Sequence, residues 1–133
     1  MPIEFLDLLD ADDDGAWRPW SSDDAAHVDG PAWHATRIDP SFDLTGVRLA
    51  PGVTVQRHHH NRSLLVLVFA GELTVSWADE ESDSEQGAGL RTGQFCVIDA
   101  DTVHRLTAGA EGATYLTSWP IVAPDLITTW EHA

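Results

Sequence analysis

The stretch Gly52-Val53-Thr54-Val55-Gln56-Arg57-His58-His59-His60, followed after a short turn by Leu64-Leu65-Val66-Leu67-Val68-Phe69, decides how this chain is read. In a strand, residues two apart share a face, so His58 and His60 project together while His59 points away. That parity gives a ready two-nitrogen chelate. A polar strand end facing water is the other reading of three consecutive histidines. The apolar run of Leu64 to Phe69 is what a strand buried on both sides requires.

Outward from this stretch the pattern consists of short β-type runs at 33–38, 42–50, 53–57, 64–77, 94–98, 103–107 and 114–119. Pro51-Gly52 and Ala70-Gly71-Glu72 read as turns, and 79–89 reads as a polar loop with no core-forming residue. No helical periodicity of useful length precedes Pro124, and 124–133 is expected to form a last short strand or helical turn that places Trp130 on the body of the fold. The class predicted is all-β, a single antiparallel jelly-roll β-barrel. A chain of 133 residues fits one domain, divided into an acidic N-terminal arm at 1–30 and the barrel at 31–133. Within the arm, Ile3, Phe5, Leu6, Leu8 and Leu9 look like a docking segment. Asp12-Asp13-Asp14-Gly15 reads as a solvated loop because the twelve-residue calcium loop with its closing Glu is missing. Trp17 and Trp20, flanking Pro19, are expected to cover a core edge.

Seven Arg, no Lys and 22 carboxylates give a net charge of −15, a field that repels phosphate backbones and anionic headgroups. Neither nucleic acid nor a membrane is an expected partner. One cysteine, Cys96, cannot form an internal disulfide; no apolar run approaches the roughly 20 residues that span a bilayer, and the start lacks a basic leader. A cytoplasmic protein is expected.

Gly52, His58, His60 and Gly71, then Gly93 and His104, stand at the spacings of two motifs, and the chain resembles the cupin superfamily over 42–119. The resemblance implies a barrel whose open mouth holds a metal through His58, His60 and His104, often with dimerisation through the outer sheet, so a homodimer is expected. The family's glutamate ligand falls on Leu64, or on Leu65 by the alternative spacing, and neither side chain binds a metal. Its Pro and Gly of the second motif are Asp99 and Asp101 here, and its trailing Asn is Ala108.

Three neutral imidazoles leave the +2 charge of a divalent ion uncompensated, which favours an anionic ligand. Imidazole suits transition ions and suits magnesium or calcium poorly. Fe(II) is the first expectation, with zinc, nickel, copper and manganese as alternatives. Carboxylate-free three-histidine sites resemble those of diketone-cleaving and thiol dioxygenases within the cupins. The function expected is therefore that of a non-haem Fe(II) dioxygenase-like enzyme acting on a small enolisable or anionic compound. Two alternatives stand beside it: a non-catalytic metal- or ligand-binding cupin with a sensing or regulatory role, and a metal-free isomerase or epimerase that uses Asp99 or Asp101 with His104.

Candidate catalytic residues are Arg48, Arg62 and Tyr115, with Arg57 beside them, because guanidinium pairs a carboxylate or enolate bidentately. Arg62 shares parity with His58 and His60, and Arg48 would face the substrate if its strand lined the barrel. Cys96 and Tyr115 are the chain's one Cys and one Tyr, and a thiol-dioxygenase-like crosslink would need them adjacent. Cys96 reads more simply as a small buried hydrophobe. Leu64, Val66, Val68, Cys96, Ile98 and Leu106 are expected to form an apolar inner wall. His27, His34 and His132 are expected on the surface or in packing.

Overall fold

The computed structural model describes residues 17–19, 27–38, 43–78, 84–119 and 127–130, with no helix among them. The apolar cluster at Ile3 to Leu9, the Asp12–Asp14 triplet, Trp20 and His132 lie outside the described residues. Among the described residues nine strands form: β1 (Arg18–Pro19), β2 (Ala32–Ile38), β3 (Asp43–Leu49), β4 (Thr54–His60), β5 (Leu64–Ala78), β6 (Glu85–Arg91), β7 (Phe95–Ile98), β8 (His104–Trp119) and β9 (Thr128–Trp130). Every pairing between them is antiparallel.

β5 and β8 run alongside each other for almost their whole length, and each serves two sections of sheet. The first halves of β5 and the last residues of β8 continue through β3, β2 and β1 on one side and β7 on the other. Their other halves continue through β4 and β9 on one side and β6 on the other. Val47 and Tyr115 of the first section and Val55 and Leu106 of the second line one shared cavity, so the two sections face each other as a jelly-roll barrel.

The bend between sections has an identifiable cause. The register passes from Gly71↔Ala113 to Leu73↔Ala108, leaving Gly109 to Gly112 without partners on β5 as a bulge. Gly71 and Gly112 both take positive φ, 74° and 82°, and a Cβ on Gly71 would lie 2.1 Å from the Gly112 carbonyl oxygen. Only glycine permits the two backbones to cross that closely. Ala70-Gly71-Glu72 is thus a bend inside one strand and not the turn expected, and the runs at 103–107 and 114–119 are one strand, β8.

The polar segment expected as a loop corrects likewise, because Glu85 to Arg91 forms β6 against Glu72 to Ala78. Its residues are mostly exposed, so its pairing partner and not its own composition dictates the strand. Along β5, Leu64, Val66 and Val68 are fully buried while Leu65, Leu67 and Phe69 are half-buried, so that strand is packed on one face and only partly covered on the other. Inward residues of β3, β4, β5 and β8 form the core, with Val66 and Leu73 wholly enclosed. Each such aliphatic side chain contributes roughly 1.5–3 kcal/mol by burial. β1 pairs with Trp33 and His34, and Val28 bridges to Val55, which ties these residues ahead of β2 to the barrel.

Candidate metal centre

Three histidines converge inside the second section. β4 carries His58 and His60 on its inward face, and His58 stands opposite His104, the first residue of β8. All three are buried, and one ligand atom from each lies within 4.8 Å of the others. His59, on the opposite face of β4, is half-buried and outside the cluster. No Asp, Glu or Cys joins this group among the described residues. Leu64, where the motif has its carboxylate, is buried and lines the same cavity as His58 and His60.

The outer shell of the cluster orients it. His58 Nδ1 lies 2.7 Å from the Gln56 carbonyl, and His104 Nδ1 lies 2.8 Å from that of Thr102. A carbonyl only accepts, so each ring donates from Nδ1 and keeps its Nε2 lone pair free to ligate. His60 Nδ1 is 2.8 Å from the Thr128 hydroxyl on β9. His104 Nε2 is buried with no hydrogen-bond partner, an orphan that a metal ion would satisfy. Burial, followed by the neighbouring imidazoles, lowers His58 to about 4 and His60 to about 3, and burial also lowers His104. At neutral pH all three rings are uncharged, the protonation state that ligation requires. Donor chemistry, orientation and the orphaned nitrogen together fit a divalent metal.

One turn holds two of the three ligands in place. The Asp101 N–H donates to the His60 carbonyl at 2.7 Å, and the next residue supplies the carbonyl that orients His104. Asp101 has φ of 65°, in the left-handed region, at the position where the motif has glycine. Aspartate tolerates that conformation better than most residues, so the backbone of the motif survives its sequence departure.

A cavity of about 230 Å³ opens onto His58 and His60, walled by Trp119, Trp130, Tyr115 and Leu64. Trp119 meets His60 edge-on with centroids 4.5 Å apart, and Trp130 leans on His58 at 4.6 Å. His27 stacks on Trp130 with centroids 4.2 Å apart, a packing role. Sequence reasoning had placed Trp130 on the barrel but had not joined it, Trp119 or Thr128 to the histidines. Tyr115 does reach this cavity, and its burial raises its pKa, so the phenol stays protonated as a donor.

The arginines do not gather here. Arg48 lies between two core-facing residues, Val47 and Leu49, and its guanidinium stacks 4.3 Å over Trp17, so β3 does not present it to the cavity. Arg57 is exposed and pairs with Glu85, which Arg105 also contacts. Arg62 follows β4 in the turn before β5 and is not among the residues lining the cavity, because that turn breaks the parity that linked it to His60. Cys96 lines a different cavity from Tyr115, with β5 between their strands, which leaves no place for a crosslink. Burial pushes the Cys96 thiol up.

A jelly-roll barrel with a buried histidine triad on β4 and β8 has the cupin fold, with a cluster whose geometry could hold a metal. Solved structures agree on the fold. A cupin-like protein from Thermotoga maritima shares 16% identity at a TM-score of 0.71, covering 86% of this chain and 84% of that one. A cupin superfamily protein from Desulfitobacterium hafniense shares 17% at 0.58, covering 68% and 78%. Oxalate decarboxylase from Bacillus subtilis shares 20% at 0.59, with 74% of this chain covered. The chain spans about a quarter of the length of the oxalate decarboxylase chains it matches. No family model matches the chain, and no curated protein matches it.

Proposed function

We propose that this protein is a metal-dependent enzyme in which His58, His60 and His104 hold one divalent transition ion, foremost Fe(II), and which acts on a small anionic or enolisable compound in a dioxygenase-like reaction. The observation that carries this reading is the carboxylate-free triad of neutral, pre-oriented imidazoles beside a cavity with no charged residue among its described lining. A ligand-bearing anion is the natural complement to the charge that such a site leaves uncompensated. When bound, Fe(II) would supply redox chemistry toward dioxygen, which zinc lacks.

The chain's own groups account for the rest. Trp119 and Trp130 enclose the space beside His58 and His60, excluding water and giving flat apolar surfaces to a small planar compound. Tyr115 offers a protonated hydroxyl to an oxygen of that compound, and Thr45 and Thr117 add hydroxyls to the same wall. The volume of about 230 Å³ suits a compound of few heavy atoms.

An oxygen electrode tests this with protein loaded either with Fe(II) or with zinc and a panel of β-dicarbonyl, thiol and small dicarboxylate compounds, oxalate among them. Oxygen uptake only with Fe(II) is expected. Equal turnover with zinc would indicate hydrolytic or lyase chemistry. Absence of any turnover would favour a sensor or regulatory cupin, the reading to which Leu64 in place of a carboxylate lends support. A homodimer remains part of the proposal. Among the described residues β7 pairs only with β5, carries no charged residue in a strongly anionic chain, and exposes Phe95 and Val97 to 64% and 57%. Sedimentation of Phe95→Glu at several concentrations would read it. No helix among the described residues is long and apolar enough to cross a membrane.

A further inference from the structure

His104 lines a second cavity, separate from the one that opens onto His58 and His60. It measures about 310 Å³ and is lined by residues of β5, β6 and β7 and by the start of β8. Inward residues of three strands build its wall. Val75 and Trp77 come from β5, Ala88 and Leu90 from β6, and Cys96 and Ile98 from β7. Val75 stands opposite Ala88 in the β5–β6 register, so the strand pairing places these two wall residues on one face. Asp99, at the rim, is the one charged residue among the described lining, and no arginine accompanies it.

Charge sorts the two cavities. The one beside His58 and His60 has no carboxylate among its described lining. The second has one carboxylate, Asp99, and one indole, Trp77, among its lining residues, in a protein of net charge −15 that draws cations toward its surface. A carboxylate with an aromatic face is the pair that recognises an organic ammonium ion, and the apolar wall takes the hydrocarbon attached to it. We propose that this second cavity is a binding site for a small amphiphilic amine, whose ammonium group sits between Asp99 and Trp77 and whose hydrocarbon body lies against Leu90, Cys96 and Ile98. This inference does not depend on the metal-centred function. It adds a second ligand class to the same barrel.

Isothermal titration of the full chain, freed of metal by chelation, tests it with hexylamine, hexanol and hexanoate as probes. Hexylamine should bind about tenfold more tightly than hexanol, and hexanoate should give no binding. Asp99→Asn should bring the amine to the level of the alcohol. Ala88→Trp, placed on an exposed β6 residue that reaches the cavity, should abolish binding of both while the circular dichroism spectrum stays native. Equal binding of the three probes, no binding of any, a preference that survives Asp99→Asn, or binding that survives Ala88→Trp would each overturn the proposal. Metal content measured on the same protein before chelation keeps the two ideas apart: absence of stoichiometric metal with amine binding intact refutes the metal-centred function alone.

Discussion

Acidifying the metal-free protein from pH 7.5 to 5 should destabilise it through His58 and His60. An unfolded histidine titrates near 6.5, whereas burial holds these two at about 4 and about 3 in the fold. Between those values the unfolded chain binds a proton that the folded chain refuses, so stability is full above pH 6.5 and falls as pH drops toward the folded values. At pH 5 the deficit is 1.5 pH units, or about 2 kcal/mol per histidine at 1.36 kcal/mol per unit. Because His58 contributes to the lowering of His60, the two losses are not simply additive, and the pair should lose between about 2 and 4 kcal/mol. One effect opposes this loss: lowering the pH toward 4.4 relieves the self-repulsion of a chain with net charge −15. The assay is therefore urea unfolding in the presence of chelator at both pH values, for the native chain and for His58→Gln with His60→Gln, in which the general charge effect is retained. The native chain should lose about 2 kcal/mol or more relative to the variant. Equal pH dependence in the two proteins would refute the claim that these rings are buried in the neutral state.

Further outcomes follow from the cluster and its surroundings. Replacing His58, His60 or His104 with Ala should leave bound metal well below one ion per chain by elemental analysis, whereas His59→Ala should retain it, because its ring is on the other face of β4. Leu64→Glu buries a carboxylate beside the triad, so the metal-free variant should melt several degrees lower; zinc should restore it, and a diketonate probe should bind more weakly than in the native chain. Thr128→Val removes the oxygen that His60 Nδ1 contacts and should weaken metal affinity by about 10–100-fold in a competition titration, with little change in urea stability.

How much of this was legible beforehand depended on how local the signal was. β7 is a continuous apolar run and β3 carries Val47 and Leu49 at alternate positions, and His58-x-His60 needs nothing beyond strand parity to place two ligands together. His104 came from the motif spacing and not from any pattern around it. β6 was invisible because Glu85-Gln86-Gly87-Ala88-Gly89 has neither apolar content nor β propensity, and its strand exists only through the partner residues of β5. Gly71 and Gly109 to Gly112 carry the composition of turns, yet the structure uses them to bend two strands without ending either. Parity failed at Arg62 as soon as a turn intervened. Trp119 and Thr128 reach the histidines across 59 and 68 residues of sequence from His60, a relation that no window of neighbouring residues contains.

The left-handed turn at Asp101 couples ligands that belong to different strands. Its N–H fixes the backbone at His60, and its neighbour's carbonyl fixes the ring of His104, so two corners of the triad cannot move apart independently. A site assembled in this way would discriminate among ions by the span it tolerates, in the manner of a gauge of set width. Selectivity between metals of similar affinity for imidazole would then reside in a residue that touches no metal. Substitutions at position 101 are thus the place to widen or narrow that gauge while the ligand set stays intact: Asp101→Gly keeps the backbone accessible, and Asp101→Val opposes it.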